Sequence, residues 1–201
     1  MIISHKYKFI FIKTYKTAGT SLEAYLSDYC GEDDVITEIF PPVSGHWPRN
    51  AESFYNHMPA VEVRHRVGEA LWHSYFKFCV ERNPWEKVLS FYWMERSRNG
   101  EGLDFDEFLA RDQIGFNWPL YADECGESPI IDRILRYERL GDDLTKLFKE
   151  LGVPWAGSLE YRAKSEYRQD RRHYREILSS HQANYIAKRF VKEIEWHGYQ
   201  Y

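Results

Sequence analysis

The chain has 201 residues, of which 43% are hydrophobic, 17% aromatic and 29% charged; that balance fits a packed globule with a wet surface and excludes a mainly disordered chain. A formal net charge of -4 offers no general attraction to nucleic acid or an anionic membrane, so any anion site has to be local. Cys30, Cys79 and Cys125 are odd in number and far apart, which suggests neither a zinc ribbon nor a disulfide framework and makes a reducing cytoplasm the default compartment.

The first apolar run, "YKFIFIK" over residues 7–13, reads as a buried strand. It is too short for a signal segment or membrane span and is interrupted by lysines, so a soluble, cytoplasmic protein is expected. "GTSLEAYLSDYCG", residues 19–31, then shows helical spacing through Leu22, Tyr25, Leu26 and Tyr29 and stops at Gly31. "VITEIF" over 35–40 reads as a second strand, residues 41–59 as irregular, and "AVEVRHRVGEALWHS" over 60–74 as a helix. "YFKFCVER", residues 75–82, is a strong core strand, and Pro84 after Asn83 suits the first turn of a helix carrying Val88, Leu89, Tyr92 and Trp93.

Further on, residues 105–112 read as a short helix, 113–129 as a long loop, 130–137 as a strand or strand–helix hybrid, and 140–152 as a helix. Residues 179–198 read as one closing amphipathic helix. No internal repeat or linker divides the chain, so a single domain over 1–201 is expected. Strands alternating with helices imply an α/β fold: a central, mostly parallel sheet flanked by helices, with ligands beyond the carboxyl ends of its strands.

The turn after the first strand carries the chemistry. A helix N-terminus offers unpaired N–H groups and the positive end of a dipole, so a small-residue turn there can surround a phosphate. Gly19 permits close backbone approach, Thr17, Thr20 and Ser21 offer hydroxyls, and Lys16 adds a positive charge. A nucleotide-hydrolysing loop reads GxxxxGK[ST]; here Lys16 precedes Gly19 and the first glycine is absent, which speaks against an ATPase or GTPase. An ordinary helix start with Thr20 or Ser21 near the cap is the alternative.

"KTYKTAGTS" (13–21) resembles the 5'-phosphosulfate loop of sulfotransferases that use 3'-phosphoadenosine 5'-phosphosulfate (PAPS), and "VERNPWEKVLSFY" (80–92), with Arg82 eight residues before Ser90, resembles their 3'-phosphate motif. "NHMPA" at 56–60, "LRYERLGDDLTKLFKELGV" at 135–153 and "FVKEIEWHGYQY" at 190–201 extend the similarity to the carbohydrate-directed, family 2-like branch. The resemblance implies a P-loop-like three-layer fold and a donor site made of Lys16, Thr17, Ala18, Gly19, Thr20, Ser21, Arg82 and Ser90. Lys164 and Ser165 resemble a further family element and complete that set. It implies that Lys16 stabilises the leaving oxygen and that His57 is the general base, and it implies no metal. A surface ion pair of Arg82 with Glu81 or Glu86, an exposed Ser90 and a packed His57 are the alternatives.

Glu23 and His46 are weaker base candidates. Residues 161–176 hold six basic side chains, Arg162, Lys164, Arg168, Arg171, Arg172 and Arg175, against three acidic ones, a strip able to face a phosphate or an acidic sugar, or simply a solvated face. Trp47, Trp118 and Tyr121 offer aromatic faces in loops, where stacking on a sugar or adenine competes with ordinary packing. Two departures from the family stand out: Tyr15 sits where many relatives carry proline, and the arginine-lysine-glycine element of relatives acting on small phenols and steroids is missing. The expected reaction is sulfuryl transfer from PAPS to a hydroxyl, most simply on a saccharide or glycoconjugate, without nucleic acid or a membrane span. A small-molecule kinase and a catalytically silent nucleotide-binding module are the rivals.

Overall fold

A computed structural model describes residues 1–100, 102–159 and 167–201. The chain forms two compact units, one of residues 1–81 with 117–159, the other of 82–116 with 167–201.

The first unit is a mixed α/β structure around a five-stranded sheet: β1 (Ile2–Ser4), β2 (Phe9–Phe11), β3 (Val35–Ile36), β4 (Phe76–Glu81) and β5 (Arg133–Arg136), in the order β3-β1-β2-β4-β5. β2 pairs with β4, and β4 with β5, in parallel, but β1 is antiparallel to both β2 and β3. The expectation of a mostly parallel sheet is corrected to two parallel and two antiparallel pairings. The cause is a hairpin at the start of the chain, Ile2 opposite Phe11 and Ser4 opposite Phe9, whose short connection allows no crossover. Only its second strand had been legible.

Alternation along the strands sends side chains to two cores. Phe9, Phe11, Phe78, Val80 and Leu135 meet Leu22 and Leu26 of helix α1 (Gly19–Ser27) on one face. Ile3, Ile10, Ile12 and Cys79 meet Met58, Val63, Trp72 and Tyr121 on the other. The latter residues come from or beside α2 (Ala60–Val67), α3 (Glu69–Ser74) and the short α6 (Trp118–Tyr121), which follows α4 (Pro84–Asn99) and α5 (Phe105–Ala110) in the chain. The one helix expected over 60–74 is two, divided at Gly68, whose φ of 79° lies outside helical geometry. α7 (Leu140–Leu151) joins the first core through Leu144, Leu147 and Phe148, an i, i+3, i+4 stripe.

The second unit is helical among its described residues: α4 (Pro84–Asn99), α5 (Phe105–Ala110), α8 (Tyr174–Ile177), α9 (Ser180–Arg189) and α10 (Val191–His197). α4 starts as its sequence predicts, with Pro84 in the first turn and the Asn83 side chain accepting from the N–H groups of Trp85 and Glu86. Trp85 packs near-parallel to Tyr174 and donates to the Ala183 carbonyl at 3.0 Å. Two helices replace the single closing one, because Phe190 leaves helical geometry at φ -110°, ψ 33° while its ring stays fully buried.

Candidate functional site

In the first unit, β2 runs into the turn 12–18 and α1. Lys16 (φ 59°) and Ala18 (φ 62°) both lie in the left-handed region, which costs a non-glycine residue free energy and persists where surroundings impose it. Ala18 is the N-cap of α1 and has no side-chain acceptor for the first-turn N–H groups. Neither Thr20 nor Ser21 is the cap, so the ordinary capped helix start is not what this turn adopts. Lys16 and Thr20 are partly exposed.

Two expectations about the turn change. The Thr17 hydroxyl is fully buried and bonds Thr14 Oγ1 at 2.8 Å and the Thr14 carbonyl at 3.2 Å; it braces the turn from within. Gly19 has a use within the fold: a Cβ there would lie 2.8 Å from Lys13 Cγ. Lys13 is itself buried and ends 2.5 Å from Glu23 Oε2 on α1. The Met1 ammonium also pairs with Glu23. Burial pushes the Glu23 carboxyl up, but the Met1 and Lys13 charges outweigh it and hold the group below the usual range. Glu23 is therefore the anionic half of a buried ion cluster and a poor candidate base. His46 is also buried, which lowers its pKa, and its Nε2 has no hydrogen-bond partner among the described residues.

His57 precedes α2 and is the third left-handed residue of the set, at φ 60°. Its Nδ1 lies 3.0 Å from the Lys13 carbonyl. A carbonyl only accepts, so Nδ1 carries the proton and Nε2 keeps the lone pair. The ring stacks on Tyr15 at 4.2 Å between centroids and 23° between planes. Burial, then the Lys13 charge, pull the His57 pKa down from 6.5 to about 3, against the opposing bond to the Lys13 carbonyl. Without ligand the imidazole is neutral across the physiological range, the protonation state a base needs, but with weaker basicity than an ordinary histidine.

Sequence reasoning missed the residues behind this arrangement. Asn117, fully buried, accepts from Tyr15 N–H at 2.7 Å and donates to Glu81 Oε1 at 2.8 Å. The other Glu81 oxygen accepts from Tyr121 at 2.9 Å. The available signal was a charge closing each buried apolar run, Lys13 after "FIFI" and Glu81 after "FCV", since a charge at such a place has to find a partner.

In the second unit, Arg82 precedes the Asn83 cap, with a side chain 11% exposed, and Ser90 lies partly exposed on α4. Glu86 Oε2 receives Arg82 Nη2 at 3.2 Å and Arg168 Nη1 at 2.6 Å. The ion-pair alternative for Arg82 is thus realised with Glu86, and a second guanidinium shares the same oxygen. Arg172 pairs with Asp170 at 2.6 Å, and Arg175 lies over the Tyr174 ring. Arg162, Lys164 and Ser165 lie outside the described residues. Trp118 and Tyr121 are buried, Trp118 bonding the Gly126 carbonyl at 2.8 Å, so packing is their use; Trp47 is 67% exposed. Among the described residues no group of three or more His, Cys, Asp or Glu is arranged to hold a metal, and no helix is long and apolar enough to cross a membrane.

Comparison with known proteins agrees with the motifs. An uncharacterized protein of Archaeoglobus fulgidus is 41% identical over 101 residues, 48% of this chain and 84% of that protein. No solved structure matches the chain significantly. The family model described as "Sulfotransferase family" matches residues 1–200, so the chain belongs to the sulfotransferase family.

Proposed function

We propose that this sulfotransferase, acting as one cytoplasmic domain with a P-loop-like three-layer fold, takes a sulfuryl group from PAPS and passes it to a hydroxyl of a carbohydrate. The observation that carries the reading is the turn of residues 16–21: two left-handed residues lead into a helix whose N-cap residue has no side chain to satisfy the first-turn N–H groups. Those groups suit the 5'-phosphosulfate.

In-line displacement needs alignment and stabilisation of charge on the leaving oxygen. Lys16 supplies that positive charge. His57, its Nδ1 proton fixed by the Lys13 carbonyl, offers Nε2 to the acceptor hydroxyl. The anionic donor adds negative charge, which raises the His57 pKa toward the working pH. Arg82 and Ser90 hold the 3'-phosphate, with Arg82 exchanging Glu86 for phosphate, and Lys164 and Ser165 add to that contact. The carbohydrate acceptor follows from the branch of the family that the sequence resembles.

A thermal shift tests the donor. Adenosine 3',5'-bisphosphate at ~100 times its Kd adds about 2.7 kcal/mol, a rise of roughly 5–10 °C for a chain of this size. The reading expects that rise with the bisphosphate and a smaller one with 5'-AMP. A rise with ATP and magnesium alone overturns it in favour of a kinase.

A further inference from the structure

Asn117 is the N-cap residue of α6, yet its side chain makes no capping bond there. It turns instead to a residue 102 positions earlier. Oδ1 accepts from the Tyr15 N–H at 2.7 Å, while Nδ2 donates to the Tyr15 carbonyl at 3.3 Å and to Glu81 Oε1 at 2.8 Å. Both backbone polar groups of one residue are therefore gripped by one side-chain amide.

The amide has one workable orientation. Flipped, its NH2 would face the Tyr15 N–H and its oxygen would face a carboxylate and the Tyr15 carbonyl, three repulsive contacts in place of three bonds. Glu81 is fixed in turn by the Tyr121 hydroxyl at 2.9 Å on its second oxygen. Glu81, Asn117 and Tyr121 are each fully buried, where an unsatisfied polar group is costly and a satisfied network is rigid.

Tyr15 is the last residue before the left-handed Lys16, and its ring is the stacking partner of the left-handed His57. We propose that Asn117, oriented by Glu81 and Tyr121, is a positioning residue: by gripping the Tyr15 backbone it sets Lys16 at the head of the turn and holds the Tyr15 ring as the wall against which His57 is aligned. The inference rests on the proposed roles of Lys16 and His57. It adds that their placement is imposed from α6 and the end of β4, elements that carry neither residue.

The test pairs kinetics with a readout that needs no turnover. In the full chain with 15N-labelled histidine, wild type is expected to show His57 as the Nδ1–H tautomer, and Asn117→Ala to show a mixture of tautomers. With PAPS and a saccharide acceptor, Asn117→Ala lowers kcat roughly ten- to a hundredfold, the size of effect an ångström-scale misplacement produces, while the donor KM stays within about threefold. Added to His57→Ala, it has little further effect.

Tyr121→Phe removes only the hydroxyl on Glu81 and is expected to move the same signals by a smaller amount, which decides the matter if Asn117→Ala does not fold. An unchanged His57 tautomer, with kcat per folded molecule unchanged in both variants, overturns the inference. If wild type transfers no sulfuryl group but the tautomer still responds to Asn117, the reaction assignment fails and the positioning of His57 stands.

Discussion

The chain builds two strand–turn–helix units from similar-looking sequence and finishes their helix starts in opposite ways. α4 begins under a side-chain cap, Asn83 satisfying two first-turn N–H groups, with Pro84 supplying no N–H at all. α1 begins at Ala18, left-handed and without a capping side chain. A fold that needed only a helix start would use the first solution, worth about 1 kcal/mol. The second gives up that stabilisation where N–H groups facing an anion are of use. On the proposed donor site the two turns would use different chemistry: backbone and one lysine in the first, arginine and serine side chains in the second.

The largest expected effect is at the wall of the first turn. His57→Ala should lower kcat by roughly 10²–10⁴-fold while the affinity for adenosine 3',5'-bisphosphate, measured by calorimetry, stays close to wild type. Equal loss of affinity would make His57 a donor ligand and remove the division of labour. Lys16→Met should cost roughly 10²–10³-fold in kcat, the scale for losing one stabilising group on a developing oxyanion. A steady-state PAPS assay that gives the same rate for both chains would break the first half of the comparison.

Asn83→Ala tests the second turn as structure. It should lower stability by about 1 kcal/mol, read from chemical denaturation, with the kcat of the folded enzyme unchanged. A further expectation concerns pH. The His57 pKa lies near 3 in the folded chain against 6.5 ordinarily, so as pH falls from 6.5 toward 3 the unfolded chain takes up a proton that the folded one refuses. That difference removes stability over this window as the medium becomes more acidic. Amide or imidazole NMR of the ligand-free protein should accordingly show no His57 titration between pH 8 and 5. An inflection near 6.5 would contradict the burial and the Lys13 charge as its environment.

How much of this was readable in advance follows from the range of the interactions. α4 was legible because its signals, Asn83 then Pro84 before apolar spacing, lie within a few residues of its start. The family motifs around Lys16 and Arg82 were legible for the same reason, each being contiguous. β1 was not: three residues ending in a turn have too short a period to distinguish from loop. The breaks at Gly68 and Phe190 were missed because helical spacing continues across both. The grip of Asn117 on Tyr15 spans 102 positions, and no local pattern encodes a contact that only the folded sheet creates. Thr17 was read as a ligand hydroxyl, but its contact with Thr14 turns it inward. A sequence lists the polar groups a turn contains, and packing decides which of them face outward.

The measurement that tests the division between the two turns most directly is a binding cycle by calorimetry: adenosine 3',5'-bisphosphate and 5'-AMP, each against wild type and Arg82→Ala. If Arg82 reads the 3'-phosphate, wild type prefers the bisphosphate by about ten- to a hundredfold, the range for a charge-assisted hydrogen bond to a phosphate. That preference collapses toward unity in Arg82→Ala, with 5'-AMP binding hardly changed. A preference that survives in Arg82→Ala would contradict the account and leave Arg82 as an ion-pair partner of Glu86 and not a reader of the 3'-phosphate.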